Sequence, residues 1–72
     1  MIDPSLLSLA REYLDLIEQM RSGGYTIEEI RQLDSQRQWT HNDLLRLTGL
    51  DPADDMAAYC RRLLHVARGQ GR

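Results

Sequence analysis

Few side chains in this 72-residue chain are of types that carry covalent or metal chemistry. Its two histidines, His41 and His65, are far apart in sequence, and neither stands at a spacing that implies a catalytic partner. The single cysteine, Cys60, lies on an apolar helical stripe and reads as a small buried side chain rather than a nucleophile. One cysteine excludes an internal disulfide, and no Cys/His spacing suggests a metal site. So short a chain has little material for a substrate pocket. No catalytic residue, cofactor or metal is expected, and the chain reads as a non-enzyme. What remains is recognition chemistry: an acidic turn (Asp51, Asp54, Asp55), three dispersed aromatics (Tyr25, Trp39, Tyr59), and arginines. All nine basic residues are arginine, a side chain suited to bidentate contact with carboxylate or phosphate. The absence of lysine and phenylalanine also fits a GC-rich genome, hence a bacterial or phage origin.

These residues have to be positioned by helices, since no alternating pattern suggests a strand. Asp3-Pro4 offers an N-cap and a first helical residue. After it Leu6, Leu7, Leu9, Ala10, Tyr13, Leu14, Leu16, Ile17 and Met20 fill about half of a helical cylinder at 100° per residue. A face so wide exceeds what one neighbouring helix covers. Either several helices of the same chain pack on it or a second chain does; because a chain of this size is marginal alone and its other helices are short, a shared interface is favoured. A homodimer contact through Leu6, Leu9, Tyr13, Leu16 and Met20 follows.

Gly23-Gly24 closes the first helix, and Thr26 with Glu29 has the spacing of a capping box that opens a second, ending near Gln36. A polar link, Ser35 to Gln38, comes next. Trp39 reads either as a hydrophobic staple packing on Leu44 or as an interface anchor. Thr40 and Asp43 repeat the N-cap spacing, which predicts a short third helix over His41–Thr48. Gly49-Leu50 makes a turn, and Asp51-Pro52 opens a fourth helix running to about Arg68. Ala53, Met56, Ala57, Cys60, Leu63, Leu64 and Ala67 line its apolar stripe, with Arg61, His65 and Arg68 on one side and Arg62 further round. The expectation is one helical domain over residues 1–68 and a frayed tail over 69–72. The predicted fold is all-α: a small four-helix orthogonal bundle, dimeric.

Thr40 to Leu64 resembles a helix-turn-helix unit: a short helix, Gly49-Leu50 at the turn, then a second helix with apolar residues at helical spacing. The resemblance covers about a third of the chain and departs from the usual pattern at Asp55, where a buried Val or Ile is normal. Its implied recognition helix begins with Asp51, Asp54 and Asp55, and no cation follows until Arg61. Phosphate contacts need cations, so this start suits a protein partner better than DNA. Size, the acidic helix-turn-helix-like unit and the broad first helix are together similar to small bacterial and phage anti-activators, which bind and disable a transcription activator. The similarity implies a regulatory protein that binds a transcription factor or another host protein, and carries over no residue. On this chain's own residues, the surfaces expected to make the contact are the acidic turn (Asp51, Asp54, Asp55) and the aromatics Tyr25, Trp39 and Tyr59. The alternative is a DNA-binding regulator or excision factor that contacts phosphates through Arg46, Arg61, Arg62 and Arg68, with Arg37 available. A structural assembly subunit is a third class.

Leu33-Asp34-Ser35 is similar to the Asp-Ser pair of acyl carrier proteins, but Gln-Arg-Gln-Trp follows instead of an apolar helix start, and no glycine precedes Asp34. Net charge is −2, with residues 1–36 at −4 and residues 37–72 at +2, too mild an asymmetry for the basic field of a nucleic-acid binder. No apolar run approaches the roughly 20 residues that cross a bilayer. With no basic-then-apolar leader, the sequence is expected to be cytoplasmic.

Overall fold

A computed structural model describes residues 3–51 and 54–70. It contains three helices, α1 (Pro4–Ser22), α2 (Ile27–Thr48) and α3 (Met56–Gln70), and no strand among the described residues. The all-α expectation is met, but the expected four-helix bundle is not.

The first helix starts where the sequence directs. The Asp3 carboxylate accepts from the Ser5 N–H at 2.9 Å, and Pro4 occupies the first helical position. Gly23 and Gly24, both at φ near 80°, turn the chain back. The Thr26 hydroxyl accepts from the Glu29 N–H at 3.2 Å, while the Glu29 carboxylate accepts from the Thr26 N–H at 2.9 Å. Both halves of the capping box are therefore made. They hold the Glu29 carboxyl below the usual carboxylate range, because the Thr26 N–H and hydroxyl favour its ionised form.

The break expected between Gln36 and Thr40 does not exist: the second and third expected helices are one, α2, of 22 residues. Nothing between Ile27 and Thr48 interrupts a helix, since the segment has neither glycine nor proline. Its polar middle supplies helical side-chain pairs instead. Asp34 accepts from Arg37 at 2.8 Å and from Gln38 at 2.9 Å. Thr40 is no N-cap; its hydroxyl donates to the Gln36 carbonyl one turn back, at 2.9 Å. Asp43 pairs with Arg46 at 2.6 Å instead of completing a capping box. The expected helix end at Gly49 is met. Gly49 lies in the left-handed region at φ 70°, and its N–H donates to the Leu45 carbonyl.

The last helix begins later than expected, at Met56. Asp55 caps it: its side chain accepts from the Ala58 N–H at 3.1 Å, and its carbonyl accepts from the Tyr59 N–H. Pro52 and Ala53, expected to open this helix, lie outside the described residues. The helix continues through Gly69 to Gln70, past the end expected at Arg68; Gly71 and Arg72 lie outside the described residues.

Packing radiates from α1, against which α2 and α3 both lie. Ala10 and Tyr13 of α1 meet Leu44 of α2 and Met56 and Cys60 of α3 in the core. Around them pack Leu6, Leu9, Leu14 and Ile17 from α1, Leu45 and Leu50, and Ala57, Tyr59, Leu63 and Leu64 from α3. The width of the α1 apolar face thus finds an intrachain cause, because two helices of the same chain share it. Among the described residues no helix is long and apolar enough to cross a membrane.

Candidate protein-binding surface

Continuity of α2 decides where Trp39 points. Five residues separate it from Leu44, a rotation of about 140° on an unbroken helix, so the two side chains leave opposite sides. Leu44 is fully buried, whereas Trp39 is 73% exposed. The staple expected between them is not formed. At helical spacing Trp39, Asp43 and Leu47 follow one another in a row along the outer side of α2, and Leu47 is 52% exposed. The Asp43–Arg46 ion pair sits within this stretch. An exposed apolar pair flanking a charged pair is a surface that can bury an aromatic anchor in a partner's pocket and leave a polar rim.

The other residues expected at the partner surface are differently employed. Tyr59 is half-buried and packs against the core. Tyr25 is half-buried in the turn between α1 and α2. Asp51, Asp54 and Asp55 are exposed, yet each has local work. Asp54 donates its N–H to the Asp51 carbonyl at 2.9 Å and accepts from the Asp51 N–H through its carboxylate, while Asp55 caps α3. Of the residues expected at a dimer contact, Tyr13 and Leu16 are buried within the chain, Leu6 and Leu9 pack on the core, and Met20 is half-buried.

Among the arginines expected at a nucleic acid, Arg46 is engaged by Asp43, and Arg61, Arg62 and Arg68 project from the exposed side of α3. Arg37 is paired with Asp34, which favours its charged form, and the Tyr13 phenol adds to the effect. Sequence reading missed that Arg11 of α1 faces Arg68 across a shallow groove with Leu14, Asp15 and Leu64. That juxtaposition is tertiary and leaves no mark in local spacing.

The Tyr13 and His41 rings lie 5.7 Å apart at a tilt of 36°, and the buried Nδ1 of His41 finds no hydrogen-bond partner. Cys60 is buried, and loss of hydration pushes its thiol up to about 11, away from the nucleophilic range. No group of three or more His, Cys, Asp or Glu among the described residues is placed to hold a metal ion. Comparison with protein-family models, with curated proteins and with solved structures finds no match.

Proposed function

We propose that this chain is a small regulatory module that acts by binding another protein, with the outer side of α2 as its contact surface and Trp39 as the anchor. One observation carries the reading: a tryptophan stands 73% exposed in mid-helix while the opposite side of that helix supplies the core. Exposing so large an apolar side chain on an ordered element is unfavourable in water, and tryptophan is enriched at binding hot spots. Leu47 extends the apolar contact along the same row, and the Asp43–Arg46 pair gives it polar register. A transcription activator or other host protein is the partner class that suits a small regulator of this kind.

Self-association through the inner face of α1 fits less well, because a second chain reaching Tyr13 and Leu16 would have to displace α2 or α3. DNA binding also has less support. Arg46 is committed to Asp43, and the start of α3 carries exposed Asp54 and Asp55.

The test is affinity capture of the tagged protein from a bacterial lysate, with and without nuclease, beside the Trp39→Ala variant. A stoichiometric protein that survives nuclease and is lost on Trp39→Ala is the expected result. Recovery of nucleic acid, or a protein retained equally by the variant, overturns the reading.

A further inference from the structure

On the side where α1 and α3 meet the solvent, Arg11, Leu14 and Asp15 of α1 face Leu64 and Arg68 of α3 across a groove of about 310 Å³. A second depression of about 270 Å³ shares Leu14, Leu64 and Arg68 with it and adds Arg61 and His65. The two form one channel with a leucine floor and arginines on both banks. Arg11, Arg61 and Arg68 are exposed, and none is ion-paired with another described residue, unlike Arg37 and Arg46. Arg61, His65 and Arg68 fall on one side of α3, with the two arginines about 10 Å apart along the axis.

We propose that this channel is a docking site for an acidic amphipathic segment of another protein. Carboxylates spaced about two helical turns apart meet Arg61 and Arg68, and Arg11 closes on the segment from α1. An apolar side chain between the carboxylates rests on Leu14 and Leu64. Guanidinium groups favour carboxylates through paired, charge-assisted hydrogen bonds, and unpaired arginines beside Leu14 and Leu64 are the complement of such a segment. Asp15 lies in the lining and takes a donor from the segment. Together with the floor it separates this ligand from a phosphate backbone. A polyanion has no apolar group for Leu14 and Leu64, meets repulsion at Asp15, and finds a chain of net charge −2 with little long-range attraction. The site is independent of the Trp39 surface and stands whether or not that surface binds anything.

Fluorescence polarisation with the full chain tests it directly, using three labelled probes. These are a helical peptide with two glutamates seven residues apart and leucine between them, the same peptide with serine for leucine, and a DNA duplex. The expected result is saturable binding of the leucine peptide, weaker binding of the serine peptide, and at least about tenfold loss on Arg11→Glu with Arg68→Glu. Both substituted side chains are exposed, and Arg61→Gln serves as a milder variant if the double change disturbs the helical circular dichroism. Trp39→Ala leaves the affinity unchanged. The proposal is overturned if the leucine peptide does not bind, or if the serine peptide binds as well. It is equally overturned if the duplex is preferred and depends on the same arginines, or if Trp39→Ala abolishes peptide binding.

Discussion

Trp39 and Thr40 are adjacent on α2 and inhabit opposite environments. Trp39 is 73% exposed, while Thr40 is only 4% exposed and donates its hydroxyl to the Gln36 carbonyl. The helix separates an exposed indole from a buried hydroxyl at neighbouring positions. Trp39→Ala should therefore change stability by no more than about 0.5 kcal/mol, the ordinary range for surface substitutions, while removing the captured partner. Denaturant unfolding of both forms checks the first half. A large loss of stability would place the indole in the core.

The helix runs unbroken through residues 35–40. Gln36→Pro removes an intrahelical hydrogen bond and drives the ring against the preceding turn, at a cost of about 3 kcal/mol or more. A domain of this size has on the order of 4–11 kcal/mol in total, so the midpoint of unfolding should fall steeply. Were the segment a linker between two helices, the substitution would be nearly silent in denaturant melts.

What the sequence makes legible here is local. The Asp3 cap, the Thr26–Glu29 box and the Gly49 terminus each rest on residues within one turn of each other, and all are formed. Thr40 with Asp43 has the same spacing and a different outcome, because a threonine hydroxyl bonds as readily to the carbonyl four residues back as to an N–H ahead. The uninterrupted run without glycine or proline was the better guide. Asp51 is expected to cap the last helix, and Asp55 does so instead. Asp55 lies directly before Met56, which is buried with Cys60 one turn on. Exposure of Trp39 follows once α2 is continuous, whereas Arg11 meeting Arg68 depends on how α1 and α3 cross.

Capping by Asp55 predicts a stability effect that is separable from recognition. Asp55→Ala leaves the Ala58 N–H without its acceptor and should cost about 1 kcal/mol. Asp55→Asn and Asp55→Ser should recover most of it, since both side chains accept the same hydrogen bond. Thermal or chemical unfolding of the three variants checks this. Equal losses in all three would mean that the carboxylate charge, and not the cap, is what matters.

Burial of Cys60 gives the molecule an alkaline limit. The thiol is fully buried and pushed up to about 11 from an ordinary value of 9.0, because its charged form is poorly hydrated there. Below pH 9.0 the thiol is protonated in both folded and unfolded chains, and its contribution is fully present. As pH rises through the window up to about 11, the unfolded chain releases the proton first, so stability falls. The loss attributable to this group is on the order of 2 kcal/mol across that window. The quantity to measure is the stability difference between the wild-type chain and Cys60→Ala. That difference should be constant from about pH 6 to pH 8 and shrink steadily above about pH 9. Thiol reagents give a second reading at neutral pH: modification of Cys60 should proceed only as fast as the chain opens, and should accelerate with denaturant. A stability difference indifferent to pH, or immediate modification of the native protein, would mean that the thiol is solvated and that α3 does not seat it against Tyr13 and Leu44.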